Sequence, residues 1–410
     1  MKILQLCHKM SFPLHDGGAY SLYHTALGLA NQGSDVKILA INTPKHQVDL
    51  ESIPVDFREK TKFECSWVDT RFNLFSALIN LFTTRSYFVE RFYSKQYEAD
   101  LIRILSAGKF DIIQLEHLYM CLYLNTIRKF SRARVILRPQ NVENQVWKSI
   151  LKNKISPLKK LYLRIATTRL LKFEIEMANQ VDGIIAISPD DADTFRTYAP
   201  GIPCVEVPIG FDFSRISAYN MNRQFDDFPV FYHLGSMDWF PNIEGITWFI
   251  KEVIPYIKAE YPDFIFRIAG KKMGEWFIKQ QDRNLIVDQW VEESWAYHED
   301  KAVMIVPLLS GGGLRAKIIE GMALGKTIIS TSTGAAGIPY TDQENILIAN
   351  KKEDFAVQIK KCRDSREFCQ KTGNNAQRFA IENYDCNKTA GSMIRFYSAL
   401  NECDQDLSTR

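Results

Sequence analysis

Short apolar runs alternate with longer, helix-spaced segments along this chain, and the alternation starts afresh midway. No other feature of the sequence narrows the fold as much. In the first half, residues 3–6, 36–42, 112–115, 135–138 and 183–188 read as buried strands, and 21–31 is a helix closed by Gly33. After "GIPCVEVPIGFDF" the series restarts with strands at 230–234, 264–269 (closed by Gly270), 285–287, 302–307 and 327–330, and a helix over 243–259. Short strands joined through helices lie parallel, and parallel sheets carry helices on both faces. In 410 residues, two such series predict two doubly wound α/β domains, 1–205 and 206–390, facing across a cleft. The stretch 205–229, rich in Asn, Asp, Phe and Pro, is the expected linker, and a closing helix at about 390–410 is able to pack back on the first domain. Open parallel sheets bind ligands beyond the carboxyl ends of their strands, so the chemistry is expected in loops that follow strands.

One such loop stands out, in "LLSGGGLRAKIIEGMALGKTIIST" at 308–331. It reads as strand, glycine loop, helix, strand, with Gly325 as the helix stop. Gly311, Gly312 and Gly313, flanked by Ser310 and Leu314, allow a ligand close to the backbone. They lead into a helix N-terminus, where free N–H groups favour an anion. Arg315 and Lys317 put positive charge in the first turn, which opposes the helix dipole and calls for a negative ligand such as a diphosphate. Glu320, three residues after Lys317 on the same face, can accept hydrogen bonds from a ribose diol. The plainer alternative is a glycine-rich turn carrying a surface Lys317–Glu320 ion pair. GxxxxGK[ST] is absent, and the loop after the first strand has just Gly17 and Gly18, so neither a P-loop nor a dinucleotide fingerprint is present.

Charge is distributed unevenly. Residues 1–200 hold 27 basic against 20 acidic residues, while the remainder holds 24 against 28, within a whole-chain net of +3. From 144 to 173 there are eight basic residues (Lys148, Lys152, Lys154, Lys159, Lys160, Arg164, Arg169, Lys172) and no acid, interleaved with apolar side chains. That pattern fits docking on an anionic membrane surface, or equally a solvated helix packed on its own domain. No nucleic-acid partner is expected. The eight cysteines are scattered without metal-ligand spacing, so no metal site is expected and reduced thiols in a cytosolic protein are.

The stretch "VPLLSGGGLRAKIIEGMALGKTIISTSTGAAGI", with "LHDGGAYSLYHTALGLANQGSDVKIL", "VPIGFDF" and "HLGSMDWFPNIEGITWFIKEVIPYI" in order and spacing, strongly resembles GT-B glycosyltransferases, family 4 in particular. The resemblance covers nearly the whole chain. It implies two Rossmann-like domains, an acceptor on the first and a nucleoside diphosphate-sugar donor (UDP- or GDP-linked) on the second. It further implies retaining transfer of a hexosyl-type sugar without an added cofactor, to a glycan or lipid-linked oligosaccharide. That places the protein in polysaccharide or lipopolysaccharide assembly, in the cytoplasm or peripherally on the inner membrane face.

Residue by residue, Glu320 matches the second of the family's paired glutamates, and Gly312 stands where the first would fall. Ser236 and Pro241 occupy positions where many members carry Arg and Lys, which leaves Arg315 and Lys317 to answer the diphosphate. Gly17 and Gly18 match the loop approaching donor phosphate and acceptor, Trp290 and Val291 the segment cradling the base, and Gly270 another donor-side position. Arg138, Asn141, Glu143, Glu116 and His117 are further expected cleft residues. Rival readings are a sugar-nucleotide epimerase on the same fold and a non-catalytic nucleotide-sugar binder, the latter favoured by Gly312.

Overall fold

A computed structural model describes the chain apart from residues 11, 13, 15–16, 46, 72, 74, 76–78, 81–82, 84–85, 152–155, 215–228, 290, 292–293, 312–313 and 409–410. It divides into two compact units, Met1–Asp212 with Asp385–Arg410, and Phe213–Tyr384.

In the first unit the strands are β1 (Lys2–Cys7), β2 (Asp35–Asn42), β3 (Glu64–Trp67), β4 (Ile112–Leu115), β5 (Arg134–Leu137), β6 (Gly183–Ala186) and β7 (Cys204–Glu206). They form one parallel sheet in the order β3-β2-β1-β4-β5-β6-β7. Period-two burial sends Leu4, Leu6, Ile113 and Leu115 to one face, under Tyr97, Leu101 and Ile104 of the helix Lys95–Ala107. Ile3, Ile38, Ile112 and Ile136 go to the other, under Leu22 and Ala26 of the helix Gly17–Asn31 and Met393 and Tyr397 of Cys386–Ser408. Those two helices touch through Gly28, where a Cβ would lie 2.3 Å from the Cys386 carbonyl oxygen.

The second unit repeats the scheme with β8 (Phe231–Leu234), β9 (Phe266–Ala269), β10 (Leu285–Asp288), β11 (Val303–Val306), β12 (Thr327–Ser330) and β13 (Leu347–Ile348). They are parallel in the order β10-β9-β8-β11-β12-β13. The helix expected over 243–259 is a run of three pieces: Phe240–Trp248, a π-helical Phe249–Val253, and Ile254–Glu260. Pro255 lacks an N–H and cannot continue the regular i→i−4 ladder, and the widened turn stands just before it. Strands β3, β7 and β13 were not marked by the sequence pattern. No described helix is long and apolar enough to cross a membrane.

Strand order reverses between β1 and β4 in the first unit and between β8 and β11 in the second. In open parallel sheets the reversal leaves a crevice at the carboxyl ends, because the connections on its two sides depart to opposite faces.

Candidate functional site

The β8–β11 crevice holds the residues singled out by the sequence. The two strands pair through Val303 with Phe231 and Met304 with Tyr232. Next along β8, fully buried His233 donates from Nδ1 to the Ile305 carbonyl at 2.7 Å. The helix Phe240–Trp248 closes one side and depends on Gly245, where a Cβ would stand 2.4 Å from the Pro307 carbonyl oxygen. This approach brings buried Asn242 to the crevice and lets Glu244 accept from the Ser310 hydroxyl at 2.5 Å. The helix Ala316–Ala323 lies over β11 and β12 in the same way, with a Cβ on Gly321 placed 2.9 Å from Met304 Sδ.

Lys317, the second residue of that helix, turns its ammonium inward. Nζ donates to Asn242 Oδ1 at 2.7 Å and lies 3.3 Å from His233 Nε2. Asn242 is fixed in turn, its Nδ2 donating to the Ser236 carbonyl at 2.8 Å. Burial pulls the ammonium pKa down to about 7, assisted by the like charge of Arg315. Arg315 is itself buried, its guanidinium 4.9 Å from the centre of the Trp239 ring, and burial lowers its pKa to about 10. Gly311 packs against this pair at a φ of +107°, and a Cβ there would meet Arg315 Nη2 at 2.8 Å and the Trp239 ring at 3.3 Å. A backbone in that conformation, against a guanidinium held partly out of water and just ahead of the helix that carries Lys317, is suited to an anion.

The remaining expected residues divide. Glu320 is half-buried in the second turn of Ala316–Ala323, and Leu314 is half-buried just before it. Ser236 donates to Asp238 at 2.6 Å, and Asp238 also pairs with Lys272 at 3.0 Å. Gly270 has a packing reason of its own, since a Cβ would lie 1.8 Å from the Gly235 carbonyl oxygen. Val291 lines a recess of about 470 Å³ with Arg267, Asp288, Tyr297 and Lys301. Gly312, Gly313 and Trp290 lie outside the described residues. Gly17 and Gly18 open the helix Gly17–Asn31 in the first unit, and a Cβ on Gly17 would meet nothing within 4 Å. His233, Asn242 and Glu244 were not anticipated. The one signal for them was a histidine in an apolar strand and an Asn after the Pro that starts a helix.

In the first unit, the β1–β4 reversal carries a buried polar cluster. Arg138 and Glu116 are both fully buried and pair at 3.0 Å, with Gln5 and Gln140 donating to the same carboxylate and Ser21 accepting from the guanidinium. Those two expected cleft residues are therefore interior. Beside them His117 Nε2 lies 3.1 Å from Glu143, the His8 and His117 rings are 4.1 Å apart, and Tyr119 donates to Glu143 at 3.0 Å. Burial pushes the Glu143 carboxyl up, yet His117 and Tyr119 outweigh it and hold the group below its ordinary value.

Two doubly wound parallel-sheet domains, each with its crevice at a strand-order reversal, define the GT-B fold. Sucrose-phosphate synthase from Thermosynechococcus elongatus superposes with a TM-score of 0.68 at 14% identity, covering 98% of this chain and 100% of that one. Anabaena Alr3699/HepE in complex with UDP gives 0.63 at 13%, covering 97% and 100%. S. aureus TarM, as a mutant in complex with fondaparinux, α-GlcNAc-glycerol and UDP, gives 0.62 at 11%, covering 97% and 99%. Residues 228–364, within the second unit, match the family described as Glycosyl transferases group 1. A curated relative, an uncharacterized 44.6 kDa protein in the cps region of Klebsiella pneumoniae, is 24% identical over 299 residues, 70% of this chain and 74% of that protein.

Proposed function

We propose that this protein is a glycosyltransferase that moves a sugar, with retention, from a nucleoside diphosphate-sugar to a glycan or lipid-linked acceptor during polysaccharide assembly. The observation that carries the reading is that Lys317 and Arg315 are both drawn partly out of water at the β8–β11 reversal, the latter against Gly311, within the stretch that matches group 1. UDP in the HepE and TarM complexes supports a nucleotide donor, and the cps-region relative supports the pathway.

The second unit takes the donor, with the diphosphate near Gly311, Arg315 and Lys317, the ribose diol on Glu320, and the base toward the Val291 recess. Negative charge grows on the diphosphate as the glycosidic bond breaks, and two side chains already held in place, both cationic once the diphosphate is bound, stabilise it without moving. The leaving diphosphate oxygen can accept the acceptor's proton, so the protein's main work is orientation and charge. The first unit takes the acceptor near Gly17 and Gly18, the former a position whose open surroundings leave the fold no steric need for glycine.

The basic segment belongs to the same reading. Lys148, Arg164 and Lys172 are exposed on the helices Glu143–Ile150 and Pro157–Ala178, beside exposed Val146, Leu161 and Ile165. Part of its apolar side faces inward: Trp147 stacks on Phe88 at 3.7 Å, and Leu163 and Ala166 are buried. The outward part is suited to an anionic membrane surface.

Thermal-shift titration with UDP, GDP and ADP beside their nucleosides tests the donor site. One diphosphate should raise the melting temperature well above its own nucleoside. Equal responses to each diphosphate and its nucleoside would remove the cationic role.

A further inference from the structure

Lys317 is gripped by two neutral acceptors, an amide oxygen and an imidazole nitrogen. The imidazole's state follows from its other contact. A carbonyl oxygen can only accept, so the 2.7 Å approach of His233 Nδ1 to Ile305 requires the proton on Nδ1 and leaves Nε2 bare. Full burial and the neighbouring ammonium both keep the ring neutral. An ammonium has three N–H donors. Two point to Asn242 and His233, and among the described residues the third has no acceptor. A carboxylate in place of His233 would hold the ammonium more tightly but cancel its charge, whereas imidazole and amide direct it and leave the charge available to a ligand. The contact also needs Gly235, where a Cβ would stand 2.7 Å from Lys317 Nζ and 2.8 Å from His233 Nε2. Arg315 is the like charge that acts on the ammonium, Glu320 lies one turn further along the same helix, Asp238 is paired with Lys272, and Glu244 accepts from Ser310.

We propose that His233 is a positioning residue for the diphosphate: fixed as its Nδ1-protonated tautomer, it accepts from Lys317 and aims the remaining ammonium N–H at the anion. This rests on the donor reading given above.

The experiment is calorimetric titration of the wild-type chain, His233→Leu and His233→Gln with UDP, GDP and ADP and with the corresponding nucleosides. Leucine removes both imidazole contacts, while the glutamine amide can offer an oxygen near the place of Nε2. His233→Leu should weaken the preferred diphosphate about tenfold, as expected for a lost hydrogen bond to a charged group, while its nucleoside binds as before. His233→Gln should recover most of that loss. A merely structural histidine would weaken diphosphate and nucleoside together and leave their ratio unchanged, and that result overturns the proposal while the donor reading stands. Should His233→Leu fail to fold, the ratio in His233→Gln against that in Asn242→Asp decides. Asn242→Asp adds a cancelling carboxylate beside the ammonium, so it should lower the ratio where glutamine does not, and equal ratios refute the proposal. Absence of any diphosphate binding to the wild-type chain instead refutes the donor reading, and this proposal with it.

Discussion

A diphosphate arriving at the β8–β11 crevice should bring a proton onto Lys317. With its pKa drawn down to about 7 by burial and by Arg315, the free side chain is mostly neutral at pH 8. Each unit of negative charge at about 4 Å is worth about 4 kcal/mol at an effective dielectric constant of 20, or about three pKa units. The bound ammonium therefore returns toward an ordinary lysine value. Because the bound state then holds more protons than the free state above pH 7, affinity must fall as pH rises through that window. Well below pH 7 both states are protonated and the dependence vanishes. At pH 8 binding should take up about nine-tenths of a proton, and affinity should drop nearly tenfold from pH 8 to pH 9. The nucleotide's own phosphate titrates near pH 6, outside the window. Calorimetry in two buffers of different ionisation enthalpy counts the protons directly. In Lys317→Met the uptake should disappear and the affinity become flat with pH. Uptake near zero in the wild-type chain, or the same uptake in Lys317→Met, would refute the reasoning.

Glu320→Ala should cut transfer by about tenfold and abolish the preference for a ribonucleotide over its 2′-deoxy counterpart; an intact preference means the ribose is held elsewhere. Gly270→Ala should destabilise by about 1–3 kcal/mol, since its Cβ would stand 1.8 Å from the Gly235 carbonyl oxygen. An unchanged melting temperature would show that the crevice floor yields freely there. Anionic liposomes should sediment the protein in a salt-sensitive way, and replacing Lys148, Arg164 and Lys172 with Gln should weaken that by about 100-fold, at about 1 kcal/mol per cation. Binding that ignores salt and all three changes leaves the segment an ordinary solvated helix.

Where burial follows from local pattern, the sequence was readable. The runs at β1, β2, β4, β8, β11 and β12 are mostly apolar and almost continuously buried because helices cover both faces, and that pattern with a restart midway announced two parallel sheets. The two residues of β13 and three of β7 are too short to carry any period, and pairing with a neighbour makes them strands. In the crevice, helical spacing put Lys317 and Glu320 on one face but could not tell where the ammonium would turn. That is decided by Gly245 bringing Asn242 alongside, a contact between positions 75 residues apart. His233 reads as core from its neighbours Tyr232 and Leu234, and its role appears once Lys317 is seen to abut it. Conversely, Arg138 and Glu116 sit at strand ends where ligands bind, yet they spend their charge on one another in the interior.

Incubation of the protein with radiolabelled UDP- and GDP-sugars, with and without a glycan acceptor, addresses transfer itself. One donor should release labelled sugar slowly to water alone and faster, into a glycosidic product, once a suitable acceptor is present, and Lys317→Met should suppress both. Recovery of every donor unchanged despite tight diphosphate binding would make the chain a binder, and exchange into an epimer would make it an epimerase. Either outcome contradicts glycosyl transfer.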